Sequence, residues 1–299
     1  MNAIFLPHIS PELVSFKVIG FDFAIRWYAL AYILGFLVAW LWFTRLIRRP
    51  ELWPGGQSIM GRDMPDRLLT WIILGVVAGG RIGYAVFYNP GYYLENPLAV
   101  LAVWQGGMSF HGGLAGLVVA TWIFCRINRI HVASVADAVA ISAMPGLFFG
   151  RIANFVNNEL WGRPSTLPWA VVPPAGDATI CPPDWTAICS RHPSQIYEAL
   201  LEGLLLCVLL AWLAYRRQWL QRPGQIAGLF FAAYGMVRLA VEFLREPDTQ
   251  FVTADNPGGF VLEMGGGFGL TMGQALSLPM ILLGVLTLWM VRRTNRWAN

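Results

Sequence analysis

Charge is scarce in this chain. Only 13% of its 299 residues are Asp, Glu, Lys or Arg, against 56% hydrophobic, and the mean hydropathy is +0.53. That leaves too little polar surface to wrap a water-soluble core and places the chain among integral membrane proteins. Lysine is nearly missing, Lys17 being the only one, so the net charge of +4 rests on arginine and does not point to nucleic acid as a partner. Four cysteines are too few for a disulfide scaffold. Of these, Cys181 and Cys189 share a polar, proline-rich loop, where a local disulfide is open to them if the loop is periplasmic. The four histidines and the carboxylates show no tight spacing such as His-x-x-x-His, so no metal is implied. A sustained apolar run behind a basic start is missing from the first twenty residues, which argues against a cleavable signal peptide. Internal repeats and low-complexity tracts are also missing, so residues 1–299 are taken as one polytopic membrane domain.

What the chain does have is apolar length. Seven segments can cross a hydrocarbon core of roughly 30 Å: about 21–44, 67–88, 108–126, 133–152, 194–215, 225–245 and 271–291. The expected fold is an all-α membrane protein of seven transmembrane helices with a periplasmic loop region and an interfacial segment. Arg45, Arg48, Arg49, Arg62, Arg67, Arg126, Arg129, Arg216, Arg217, Arg222, Arg292, Arg293 and Arg296 all fall on one side if the spans alternate. By the positive-inside rule that side is cytoplasmic, which puts the N-terminus outside and the C-terminus inside. On the other side, residues 89–107 carry Pro90, Gly91, Tyr92, Tyr93 and Pro97 and end at Trp104, as a segment lying in the interface would. A periplasmic loop is expected at about 153–193. A periplasmic arm at about 246–270 holds Gly265, Gly266 and Gly267, consistent with a mobile lid.

With this topology the unexpected polar residues gather in one leaflet. His111 opens the third span, Arg81 lies toward the outer end of the second, and Arg151 and Asn154 end the fourth. His192, Gln195 and Glu198 begin the fifth, and Tyr234, Arg238, Glu242 and Arg245 occupy the outer half of the sixth; Asp137 is the exception. Tyr234, Arg238 and Glu242 step by four and Glu242 to Arg245 by three, so one helix face carries all four, and Glu198 and Glu202 share a face in the same way. Such faces either hold helices together as buried ion pairs or bind a ligand. Arg151 has no acid within one turn upstream, so an anion is its natural partner, and its planar fork suits phosphate. Gly106-Gly107-Met108-Ser109-Phe110-His111-Gly112-Gly113 admits either close backbone approach to a ligand or packing of helices through small residues. Trp27 and Tyr28 fit ordinary interface aromatics. A solvated loop accounts for Asn157, Asn158 and Arg163.

Four stretches occur in the order of a known family: Trp104 to Gly113, Gly150 to Arg163, His192-Pro193-Ser194-Gln195-Ile196-Tyr197-Glu198, and the Tyr234 to Arg245 face. From about Ile25 to Val291 the chain resembles bacterial prolipoprotein diacylglyceryl transferases. The resemblance implies a seven-span inner-membrane enzyme without cofactor. Such an enzyme moves the diacylglyceryl group of phosphatidylglycerol to the lipobox cysteine of an exported prolipoprotein, leaving a thioether and glycerol 1-phosphate. It implies that Arg151 and Arg238 contact the lipid headgroup, that His111 and Tyr234 sit in the central site, and that Tyr28, Asn154, Glu159 and Gly162 belong to the signature set. With Arg81, His192, Glu242 and Arg245, these are the expected site residues. The sequence departs from the family at Arg26, Ala29, Ala153 and Asn158, the last two standing where glycine is usual.

The residues allow that chemistry. Sulfur attacking a carbon bonded to a phosphodiester oxygen drives charge onto the departing phosphate, which two arginines can offset. A thiol with a pKa of about 8.5 gains from a base, and His111 is the candidate, unless the cationic site lowers the thiol pKa unaided. Glu242 is a poorer base, sharing its face with Arg238 and Arg245. Two rivals stay open. A transporter would spread polar residues through the full depth, and a lipid-binding scaffold would need the arginines but not His111.

Overall fold

The computed structural model describes residues 4–7, 9–18, 21–174, 189–248, 251–253, 255–265 and 268–296. Helices α1 (Trp27–Ile47), α2 (Met64–Phe87), α4 (Val132–Val156), α5 (Ser194–Arg216), α6 (Gln225–Glu242) and α7 (Met272–Arg296) are long and apolar enough to cross a membrane. With the shorter α3 (Phe110–Ile127) they account for all seven expected spans. By backbone packing the chain divides into two compact units, residues 43–138 and residues 1–42 with 139–299.

In the smaller unit, α2 and α3 pack along their lengths. Pro65 in its first turn starts α2 without costing a bond, and Ser109 caps α3 by accepting from the Gly112 N–H at 3.1 Å. Gly75, Gly79 and Gly83 on α2 meet Gly112 and Gly116 on α3, both rows stepping by four. A Cβ on Gly112 would lie 2.9 Å from the Gly83 Cα. The glycine behind His111 therefore serves helix packing rather than approach to a ligand.

The interfacial segment begins with the short helix Pro90–Glu95 and continues through tight turns that leave Leu94, Leu98, Leu101 and Trp104 exposed. Arg81 fastens it to α2. Its Nε donates to the Val100 carbonyl at 2.9 Å, one Nη to the Gly106 and Gly107 carbonyls, and the other to Ala99 and Ala102 at 2.8 and 3.0 Å. The guanidinium also stands 5.3 Å from the Tyr93 ring. All five guanidinium N–H groups are used on carbonyls. Arg81, expected as a substrate contact, is occupied by the segment that leads into α3.

The larger unit opens with the short strand Ile4–Phe5, parallel to Val171–Val172, followed by an antiparallel hairpin, Glu12–Val18 against Phe21–Arg26, in which Ser15 pairs with Ala24 and Arg26 approaches Glu12 at 3.9 Å. Residues 21–26, counted in the first span by hydropathy, are thus a strand. Their alternation of apolar and polar residues has period two, and the 3.6-residue pattern starts only at Trp27. A second hairpin, Phe260–Gly265 with Phe268–Thr271, leads into α7, which packs along α6. The expected lid glycines Gly266 and Gly267 lie outside the described residues, as does Cys181; Cys189 is disulfide-bonded.

Arg81→Met removes the guanidinium donor from five carbonyls, of which Ala99 still accepts from the Ala102 N–H. With charged hydrogen bonds contributing about 1.5–3 kcal/mol each and adding imperfectly, the variant should lose at least about 3 kcal/mol, read by unfolding in micelles. It should also become sensitive to protease between residues 96 and 107. Unchanged stability and cleavage would remove Arg81 from this role.

Candidate functional site

The candidate site is built where α4, α5 and α6 of the larger unit come together. Each helix contributes charge at a level that burial makes expensive. Helix α5 widens into a π turn over Ala199–Leu205, directly after Glu198. Such turns shift the following side chains around the axis and recur at functional sites. Here the result is two almost fully buried carboxylates, Glu198 and Glu202, directed at the same arginines.

Glu198 is the hub. One oxygen takes Arg151 at 3.0 Å and the other takes Arg238. Glu202 stands 3.5 Å from Arg151 and 4.0 Å from Arg238. Arg238 continues to Glu242 at 2.9 Å; Glu242 approaches Arg245 at 3.8 Å and accepts from Thr271 at 2.9 Å, while Arg245 reaches Asp248 at 3.2 Å. The Tyr234 hydroxyl interacts with both the Arg151 guanidinium and the Glu202 carboxylate. Arg151 is therefore not the charge without an acid that its local sequence suggested. The acids come from α5, about 50 residues along the chain. Three guanidinium groups face four carboxylates, so the cluster holds no surplus positive charge among the described residues.

Tyr28, Asn154, Glu159 and Gly162, expected in the site, are placed as follows. Asn154 donates to Glu159 at 2.7 Å, fixing the turn that ends α4. The Tyr28 and Tyr32 hydroxyls lie 3.1 Å apart, with Tyr32 within electrostatic range of Arg151 and Glu159. Gly162 is held between two chain segments: its N–H donates to the His192 carbonyl at 3.0 Å, and an added Cβ would fall 2.6 Å from His192 Cβ and from the Leu244 carbonyl. It leaves no room for a ligand, and glycine is required there by packing. Asn158 has φ 59°, a left-handed conformation that asparagine tolerates and glycine adopts freely. Its side chain accepts from Trp161 at 2.8 Å, and Arg163 donates to the Arg245 carbonyl at 3.1 Å. Neither belongs to a merely solvated loop. His111 opens α3 in the smaller unit with its ring exposed.

The prolipoprotein diacylglyceryl transferase family model matches residues 14–290. A relative in Cereibacter sphaeroides, named phosphatidylglycerol–prolipoprotein diacylglyceryl transferase, is 55% identical over 98% of this chain and 100% of its own length. Relatives of the same name in Ruegeria pomeroyi and Rhodospirillum rubrum are 54% and 49% identical, covering 97% and 99% of this chain and 96% and 97% of their own. The chain belongs to the prolipoprotein diacylglyceryl transferase family.

In this transferase family member, sequence reasoning missed a second buried arginine. Arg191 is fully buried, donates to the Gly162 carbonyl at 3.0 Å and pairs with Glu246. Its backbone exchanges hydrogen bonds with Val171 at 2.8 and 2.9 Å. It stands beside His192 in a motif already singled out, but in a loop nothing marked it for burial. His192 itself bonds through Nδ1 to the Tyr197 hydroxyl at 3.2 Å, which also accepts from Trp169 at 2.8 Å. Burial holds the His192 pKa below its ordinary 6.5.

Two outcomes are expected. Glu198→Gln should cost about 3–5 kcal/mol, as for removal of one partner of a buried pair, and Glu202→Gln, with longer contacts, should cost less; equal losses in denaturant unfolding would dismiss Glu198 as the hub. Because the His192 pKa is lowered by folding, the unfolded chain binds the extra proton first. Stability should then fall as pH drops below about 6.5, down to the folded value, and His192→Gln should abolish that slope.

Proposed function

We propose that this protein transfers the diacylglyceryl group of phosphatidylglycerol to the lipobox cysteine thiol of exported prolipoproteins. The observation that carries the proposal is the placement of Arg151 and Arg238 on a shared, fully buried Glu198 in a chain of this family. Membrane lipid and the lipobox segment are its partners. The setting is the bacterial inner membrane, with the arginine-rich helix ends cytoplasmic, the N-terminus and residues 153–193 and 246–270 outside, and the chain one functional domain.

The thiol loses its proton to a base, and sulfur attacks the glyceryl methylene carbon bonded to the phosphodiester oxygen. The carbon–oxygen bond breaks, its electron pair stays on the phosphate oxygen, and glycerol 1-phosphate leaves. The thioether carries the diacylglyceryl group. Arg151, whose side chain keeps 20% of its surface exposed against 12% for Arg238, is assigned to the phosphate. The carboxylates of Glu198 and Glu202 hold its guanidinium plane in advance, so little reorganisation is needed as charge develops. Arg238, bridged between Glu198 and Glu242, adds field from a more buried position. Tyr234 orients the Arg151 fork, and Tyr28, Asn154 and Glu159 shape the headgroup surroundings. Gly162, His192, Glu242 and Arg245 hold the loops that carry them. His111, which the family resemblance places in the central site, is assigned as the base by its chemistry alone, and Arg81 keeps the chain leading to it in place.

Arg151→Gln should lower thioether formation on a lipobox peptide, measured per folded molecule, by about 100-fold or more, beyond the loss of folded yield that follows from leaving Glu198 and Glu202 short of a partner. Turnover near the parent rate would exclude Arg151. His111→Gln should lose most at low pH and regain part of its rate as the peptide thiol ionises unaided; a loss independent of pH would make His111 a positioning residue.

A further inference from the structure

Helix α7 begins against the Glu242 carboxylate, and the residues at its start are built to hold that group. Thr271 ends the strand Phe268–Thr271, and Gln274 lies in the first turn of α7. The Thr271 N–H donates to the Gln274 side-chain oxygen at 3.1 Å, and the Gln274 backbone N–H donates to the Thr271 hydroxyl oxygen at 3.4 Å. This reciprocal pair is a capping box, in which two side chains satisfy amides that the helix itself cannot. Both residues are buried. With its oxygen receiving Gln274, the Thr271 hydroxyl has one proton to give, and it donates to Glu242 Oε1 at 2.9 Å. The cap thus aims a donor at a buried carboxylate.

Gly273, inside the box, makes the approach possible. A Cβ there would lie 2.5 Å from Glu242 Cδ and Oε1 and 2.6 Å from Oε2, so the whole carboxylate lies against the glycine. Gly273 is helical, a conformation that alanine adopts more readily, so the need for glycine comes from the carboxylate and not from the backbone. The carboxylate also sits at the positive end of a 25-residue helix, where negative charge is favoured. Its Oε2 stands 2.9 Å from Arg238 and 3.8 Å from Arg245, and Arg238 shares Glu198 with Arg151. If Glu242 moves, Arg238 loses the anchor opposite Glu198.

We propose that Thr271, Gly273 and Gln274 are positioning residues for the transfer reaction, forming a cradle that fixes the Glu242 carboxylate and, through it, the Arg238 guanidinium. The proposal rests on the transfer chemistry assigned above. Arg238 acts on charge that develops as the phosphate leaves. Loosening the cradle therefore lowers kcat and leaves the KM for phosphatidylglycerol near its parent value.

The test is steady-state kinetics of the full chain in micelles, per folded molecule, with phosphatidylglycerol and a lipobox peptide. Thr271→Val exchanges the hydroxyl for a methyl, and kcat should fall about ten-fold, the rate equivalent of a mid-range coupling between neighbours in one network. Thr271→Ser keeps the donor and should recover most of that loss. Gly273→Ala should lower kcat similarly without unfolding the chain, because the new methyl meets the end of a flexible side chain. In a Glu242→Asp background the carboxylate is drawn back by one methylene, so the same Gly273→Ala change should cost about two-fold or less. A glycine needed only for helix packing would lose the same factor in both backgrounds. Parent kcat in Thr271→Val, equal losses in Thr271→Val and Thr271→Ser, or an equal Gly273→Ala loss in both backgrounds would overturn the proposal. The Thr271 pair decides the matter where Glu242→Asp is too slow to assay. Absence of thioether from the parent protein would instead overturn the transfer reading itself.

Discussion

A single carboxylate, that of Glu198, fixes the geometry of the larger unit's polar centre. It is fully buried and each of its oxygens takes an arginine from a different helix, Arg151 from α4 and Arg238 from α6. Taking such charges out of water costs several kcal/mol per ion, and a well-packed apolar triad of similar volume could be equally stable. What the ions supply is register. An apolar seam tolerates sliding by a turn, whereas a carboxylate shared by two guanidinium groups is satisfied in one arrangement only. The π turn at Ala199–Leu205 belongs to the same constraint, because it sets how Glu202 follows Glu198 around α5. Through Arg238 and Glu242 the network reaches Thr271 at the start of α7, and through Arg245 it reaches Asp248.

A second buried cation does for the loops what Glu198 does for the helices. Arg191 joins residues 162, 171 and 246, three points that no helix connects. Around it, Gly162 and Arg163 exchange backbone bonds with His192 and Leu244. Segments that would otherwise carry unsatisfied peptide groups at the membrane boundary thus satisfy one another. The loop is a built wall beside the end of α4, which explains why Gly162 has no room for a side chain.

Much of this was legible in the sequence because the membrane imposes simple rules. Seven apolar lengths appeared as seven helices, and the spacing of Tyr234, Arg238, Glu242 and Arg245 placed them on one face, as the Arg238–Glu242 and Arg245–Glu242 pairs show. What failed was partnership across distance. Arg151 looked unpaired because only α4 was in view, and its acids lie on α5. The choice between ligand approach and helix packing at Gly112 stayed open in the sequence because its partners, Gly79 and Gly83, sit on another helix. Arg81 looked like a ligand contact because backbone carbonyls leave no mark in a sequence. The hairpin at 12–26 was hidden by composition, since strand and span are equally apolar there and only period separates them.

Pairing every arginine of the cluster bears on how such a site can turn over. Bare guanidinium groups at the membrane boundary would bind phosphate strongly in substrate and product alike, and uniform binding of that kind does not speed the chemical step. A departing glycerol phosphate carries more charge than the diester from which it came, so bare arginines would retain the product in preference. Carboxylates 3.0 and 3.5 Å from Arg151 compete for the same donors. They weaken both ground states, keep the guanidinium oriented between turnovers, and can take it back as the product leaves. On the chemistry proposed for this protein, the acids of α5 matter as much for releasing phosphate as the arginines do for binding it.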